Sequence, residues 1–211
     1  LRIINDSAQS PLSQVNGKFV GTESDIGGFS LNYHKHFHTG EGGMIITNDE
    51  YLYRRACLIR NHGEACLNEG ENISNILGHN FRMGEIEAAM GREQLKKIKS
   101  LVETKTNIAE KLSLHLKKLQ GIKLTEIPEG FTHSYYVLPI VLDTESLNKK
   151  RSVIVRALIA EGVPVAVGYQ NLHLLPVYQN KIAYGRGGIP WSLKESRNDI
   201  SYSKGICPVA E

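Results

Sequence analysis

The residues best able to do chemistry crowd into one stretch, "LNYHKHFHTGEGG", Leu31 to Gly43. Histidines stand at 34, 36 and 38, with Lys35 among them. Two chemistries compete here. Three imidazoles at alternate positions would share one side of a strand and could hold zinc or copper. A lysine between a strand and a glycine turn could instead be held rigid and partly desolvated, so that its amine is neutral and nucleophilic. "TGEGG" reads as a turn, which interrupts a regular strand, and apart from Glu41 no carboxylate or cysteine stands nearby at ligand spacing. The metal reading is therefore the weaker one. For any single histidine, a plain packing or surface role competes with both.

Whichever group acts, neighbouring elements must hold it. "LRII" followed by Asn5-Asp6 reads as a buried strand, and strand ends are where open α/β sheets place chemistry. Residues 10–25 read as loop, 26–31 as a short strand, 42–49 as a second strand, and 50–63 as a helix closed by Gly63. Residues 64–80 are polar and irregular. Apolar residues recur at threes and fours over 84–120, which predicts a long helix with a break near 104–107. "HSYYVLPIVLD", 133–143, reads as a strand, 146–161 as an amphipathic helix, and "GVPVAVGY", 162–169, as a further strand. Residues 170–211 are loop-rich. A boundary is expected near 121–130, where the composition changes around Pro128.

Composition narrows the function classes. The 211 residues are 41% hydrophobic and 22% charged, with a formal net charge of only +3. The "KK" pairs at 96–97, 117–118 and 149–150 read as solvated helix faces, which disfavours a nucleic-acid arm. No apolar run approaches the ~20 residues that span a bilayer. Cys57, Cys66 and Cys207 are odd in number and form no CxxC, so free thiols in a reducing cytoplasm are expected. The chain opens in mid-stride on "LRIIND" and stops at "CPVAE", and it reads as a piece of a longer protein.

Further blocks surround the lysine. They are Ser30, "NDSAQ" (5–9), "GEGGMIITND", "IRNHG" (59–63), "GHNFRMGEIEAAMGREQLKKI" (78–98), "YYVLPI" (135–140) and "YSKGICPVAE" (202–211). In this order they resemble the DegT/StrS family of pyridoxal 5'-phosphate (PLP) sugar-nucleotide aminotransferases, over essentially the whole chain. The resemblance implies an α/β chain of fold type I. Residues 1–125 would be the C-terminal part of the large PLP-binding domain, with its mixed sheet and long connecting helix. Residues 126–211 would be an incomplete small C-terminal α+β domain. The N-terminal portion and the extreme C-terminus would be missing, and the fragment alone would bind PLP poorly.

The same resemblance implies roles residue by residue. Lys35 matches the Schiff-base lysine, which also acts as acid and base. Asp6 matches the aspartate that pairs with the pyridine nitrogen and so sustains the electron sink. Gln9 matches a glutamine beside the cofactor's phenolic oxygen, and Ser30 a serine on its phosphate. Asn80 matches an asparagine reaching the phosphate across a homodimer interface, with Arg82 completing that block. His173 and Tyr178, with His133, fall where relatives shape the sugar pocket. The implied reaction is ping-pong transfer of an amino group, from L-glutamate, to a nucleotide-diphosphate keto-sugar. Plainer roles compete with these: Asp6 as a turn residue, Gln9 and Ser30 as loop polar groups, Asn80 as a helix cap. A non-catalytic or regulatory relative, and a dehydratase with histidine at the lysine position, are the alternatives. The spacing from Ser30 puts Lys35, not His36, at that position.

Overall fold

The first strand, β1 (Ile4–Asp6), runs parallel to β4 (Ile26–Ser30), and Asp6 pairs with Gly28. β5 (Gly43–Ile46) lies antiparallel on the other side of β4, with Ser30 opposite Gly43. In this computed structural model, residues 1–65, 73–74, 76–197 and 199–211 are described. They form two units, Leu1–Asn148 and Lys149–Glu211.

In the first unit, the segment read as loop contains a hairpin, β2 (Gln14–Val15) with β3 (Lys18–Phe19). Its turn residues, Asn16 at φ 49° and Gly17 at φ 79°, are both left-handed, as the tight turn of a two-residue hairpin demands. After β5, α1 (Glu50–Arg60) is capped by Asp49, whose side chain accepts the Leu52 N–H. The helix ends in a left-handed turn: His62 has φ 56°, and Gly63, at φ 80°, donates its N–H to the Leu58 carbonyl. A Cβ on Gly63 would meet the Ile76 carbonyl at 1.9 Å, so glycine is required there. Within the stretch expected to be irregular, β6 (Glu64–Ala65) pairs with β7 (Ile73–Ser74); 66–72 and 75 lie outside the described residues.

The long helix is two helices, α2 (Glu85–Leu95) and α3 (Ile98–Leu116). The break falls at Lys96–Lys97, not at the expected 104–107, where Thr104 instead donates its hydroxyl to the Ser100 carbonyl within α3. Restarting at Ile98 puts Ile98 and Ala109 three turns apart on one stripe, and both are buried. β8 (Ile122–Leu124) and β9 (Ile140–Leu142) then pair antiparallel across the composition change at Pro128. β9 is much shorter than the expected 133–143. Tyr135 has a left-handed φ of 51° and Pro139 offers no N–H, so a ladder cannot run through them.

Among the described residues the buried apolar side chains are few, namely Leu31, Leu58, Ile98 and Ala109. Buried polar residues, Ser7, Ser13, His36, Thr39 and Ser134, are as prominent, and several of them gather around the lysine turn. The thiols of Cys57 and Cys207 are free, and Cys66 lies outside the described residues. No helix among the described residues is long and apolar enough to cross a membrane.

The second unit holds α4 (Arg151–Ala160), a single 3₁₀ turn (Leu172–Leu174) and the short α5 (Pro176–Gln179). The strand expected over 162–169 does not form: Pro164 cannot donate, and Val165 turns back to the Val163 carbonyl. Tyr178, Trp191 and Tyr202 pack as an aromatic cluster, in which the Trp191 indole donates to the Tyr202 hydroxyl at 2.9 Å.

Candidate active site around Lys35

The turn that carries Lys35 is closed by its own backbone. Leu31, at the end of β4, donates its N–H to the Gly42 carbonyl and accepts from Thr39. Between them Asn32 organises the loop. Its side-chain carbonyl accepts the His34 N–H at 3.0 Å and its amide donates to Glu41 at 2.8 Å. Its backbone N–H points to the Ser30 hydroxyl at 3.3 Å, and its carbonyl accepts the Lys35 N–H at 2.9 Å. Ser30 and Lys35, five residues apart, are thus tied through one asparagine.

The three histidines have separate surroundings. The His34 ring lies against Tyr33, with centroids 3.8 Å apart, and His38 Nδ1 accepts the Gly40 N–H at 3.3 Å. His36 turns inward, only 6% exposed, with Nε2 2.7 Å from the Ser134 carbonyl oxygen. A carbonyl can only accept, so Nε2 carries the hydrogen and Nδ1 is a lone pair. That Nδ1 is buried and has no hydrogen-bond partner. Burial pushes the His36 pKa below the usual imidazole value, opposed in part by the Ser134 bond and assisted by the positive fields of Lys105, His133 and Lys35. His36 is therefore a neutral imidazole at pH 7. Among the described residues, no three His, Cys, Asp or Glu side chains gather as a metal site.

The lysine turn is braced by a distant segment. Ser134, 2% exposed, donates its N–H to Ser13 Oγ at 3.1 Å and its hydroxyl to the Gln9 carbonyl at 3.4 Å, while its own carbonyl holds His36. Thr132 donates its N–H to the Gln14 carbonyl, and Gln14 donates back to the Thr132 hydroxyl. Two residues beyond Ser134, the Tyr136 ring meets the Lys35 ammonium, with Nζ 4.7 Å from the centroid. Between them Tyr135 sits at φ 51°, a conformation that costs an aromatic residue about 1–3 kcal/mol and persists only when its surroundings impose it. Here they do: the Tyr135 N–H bonds His133 Nδ1 at 2.9 Å, and the two rings lie 4.5 Å apart.

The residues singled out from the sequence fall into three groups. Asp6 and Ser30 end the parallel neighbours β1 and β4, at the edge that leads into the lysine turn. The Asp6 carboxylate accepts the Ala8 N–H at 3.0 Å, which is the turn role weighed for it, and stays exposed. Gln9 follows and supports Ser134 through its carbonyl. Asn80 and Arg82 are positioned instead from the end of α1: Asn80 bridges Asn61, and Arg82 donates to the Asn61 side chain at 2.6 Å. The cap of α2 is Gly84, so Asn80 does not serve as a helix cap. His173 and Tyr178 belong to the second unit, where His173 pairs with Glu211 at 2.8 Å and Tyr178 packs on Tyr202. Ser134, Tyr136 and His36's inward bond were not anticipated, because no sequence spacing joins positions about a hundred residues apart.

An amine, a carboxylate and a hydroxyl at one sheet edge form a donor set that fits a ligand carrying a carbonyl, a basic ring nitrogen and an anionic group. Comparison with known proteins points the same way. The profile of the DegT/DnrJ/EryC1/StrS aminotransferase family matches residues 1–202. The chain is 32% identical to a GDP-perosamine synthase of Escherichia coli O157:H7 over 86% of its length and 48% of that protein's. It superposes with a TM-score of 0.73 on the aminotransferase TlmJ of Streptoalloteichus hindustanus, at 30% identity over 84% of this chain and 47% of that one. Against the PLP form of the sugar aminotransferase Spr1654 of Streptococcus pneumoniae, the TM-score is 0.73 at 25% identity, over 85% and 46%. The architecture is thus that of fold type I aminotransferases, and the chain spans about half the length of the curated relatives it matches.

Proposed function

This chain belongs to the DegT/DnrJ/EryC1/StrS aminotransferase family, and from that premise we propose that the whole protein is a PLP-dependent aminotransferase. It transfers an amino group from L-glutamate to a nucleotide-diphosphate keto-sugar. The observation that carries this reading is Lys35 itself, held half-buried by a dedicated turn beside the strand ends of Asp6 and Ser30. When bound, PLP supplies an electrophilic carbonyl and an electron-accepting ring.

The chain's own groups do the rest. The Lys35 amine would hold the cofactor and would serve as the acid and base that carries the proton. Asp6 would keep the ring nitrogen protonated. Ser30 would donate to the phosphate, and Gln9 would serve the side of the phenolic oxygen. Asn80 and Arg82, held from α1 rather than from the lysine turn, suit a role in a homodimer, where Asn80 reaches the partner's phosphate. The inward position of His36 supports transamination over dehydration, since its Nε2 is committed to the Ser134 carbonyl and Lys35 keeps the reacting position.

The test is borohydride reduction of the full-length, PLP-loaded protein, followed by peptide mapping. A pyridoxyl mass on Lys35 is expected, and an unlabelled Lys35 sinks the assignment. Glutamate should bleach the yellow absorbance and release 2-oxoglutarate. A protein that binds PLP on Lys35 but ignores glutamate is instead the non-catalytic relative.

A further inference from the structure

We propose that Tyr136 is a positioning residue for Lys35, its ring face holding the lysine side chain at the sheet edge while the His36–Ser134 hydrogen bond fixes that ring against the lysine turn. The inference rests on the reading of Lys35 as the cofactor lysine. A lysine side chain has four rotatable bonds and is ordinarily swept through solvent. Here Nζ lies 4.7 Å from the Tyr136 ring centroid, and no carboxylate among the described residues stands within ion-pair distance of it.

The ring is not placed by chance packing. Its segment is fastened one residue pair away, where the fully buried Ser134 bonds Ser13, Gln9 and His36. His36 and Tyr136 are also ring neighbours, with centroids 6.0 Å apart. Left-handed Tyr135 between the two anchors is an independent sign that this turn is imposed. The lysine and its neighbour His36 therefore both close onto one three-residue segment, 134–136. Such a shelf limits how the amine approaches a carbonyl, which is where a misplacement of a single ångström is expensive in rate.

The test uses the full-length protein and two rates. The first is reductive methylation of Lys35 in the PLP-free protein, by isotopic formaldehyde and cyanoborohydride, measured against the exposed Lys123 by peptide mass spectrometry. The second is the rate at which added PLP becomes borohydride-trappable on Lys35. Tyr136→Leu frees the side chain, so methylation of Lys35 should rise, and PLP attachment should fall, each by about threefold to tenfold. Tyr136→Phe keeps the ring face and should hold both rates within about twofold of the parent. Should Tyr136→Leu fail to fold, Tyr136→Met removes the ring with a side chain that adapts to the gap. If the two rates move in the same direction, or neither moves, the ring does not position the amine and the proposal is overturned. If the parent protein never traps PLP on Lys35, the reading of function fails instead, while the methylation ratio still reports whether the ring holds the lysine.

Discussion

Replacing His36 by leucine tests whether the lysine turn is braced from a distance. The substitution keeps a buried apolar side chain but removes the Nε2–H that meets the Ser134 carbonyl at 2.7 Å. Leaving a buried acceptor unmet costs about 1–3 kcal/mol. Part of this is offset, because the unpartnered Nδ1 leaves with the ring. A net loss of about 1–2 kcal/mol remains, and it should be local to the 131–137 segment. Each 1.4 kcal/mol is about a tenfold change in an opening equilibrium, so hydrogen exchange there should accelerate about fivefold to thirtyfold. The Ser134 N–H, which donates to Ser13 Oγ, is the amide to watch. Exchange mass spectrometry on the full-length His36→Leu protein reads this directly. Unchanged exchange over 131–137, or a uniform rise across every peptide, would refute local bracing by His36.

Two further outcomes follow from the same geometry. The His36 pKa lies below its ordinary value of 6.5 when folded, so the unfolded segment takes up a proton that the folded one refuses. The stabilisation is present above about pH 6.5 and is lost as pH falls, with a slope of at most about 1.4 kcal/mol per unit. Urea midpoints at pH 7.5 and 5.5 should diverge more in the parent than in His36→Leu, and equal divergence would remove His36 as the cause. At the end of α1, Gly63→Ala forces a Cβ to within 1.9 Å of the Ile76 carbonyl at a left-handed φ. It should destabilise by about 2 kcal/mol or more, seen as a lowered melting temperature.

The elements nearest the lysine were legible in the sequence because their signals are local. β4, β5 and α1 each lie within strands and a helix expected there, and Gly63 closes α1 as its type implies. The hairpin at Asn16-Gly17 carries an equally local signal, an Asn-Gly pair, inside a segment whose polar composition reads as loop. Other misses have physical causes. The helix break at Lys96–Lys97 involves neither glycine nor proline, so no local breaker marks it in the sequence. The strand expected over 133–143 is interrupted at Tyr135, whose left-handed backbone goes with a local N–H bond to the His133 ring and contradicts its β propensity. Lys35, Asp6 and Ser30 were recognisable as an ordered set of blocks. The roles of Ser134 and Tyr136 depend on a contact that no window of sequence contains.

The bond between His36 and Ser134 spans 98 positions. A ribosome adding about 5–20 residues per second needs about 5–20 s to cover that interval. The lysine turn therefore leaves the ribosome long before its brace exists. Closing so long a loop also adds an entropic delay that a local turn avoids. During that interval Lys35 is an accessible amine on an unbraced loop. The braced form of the lysine turn is consequently a late product of synthesis.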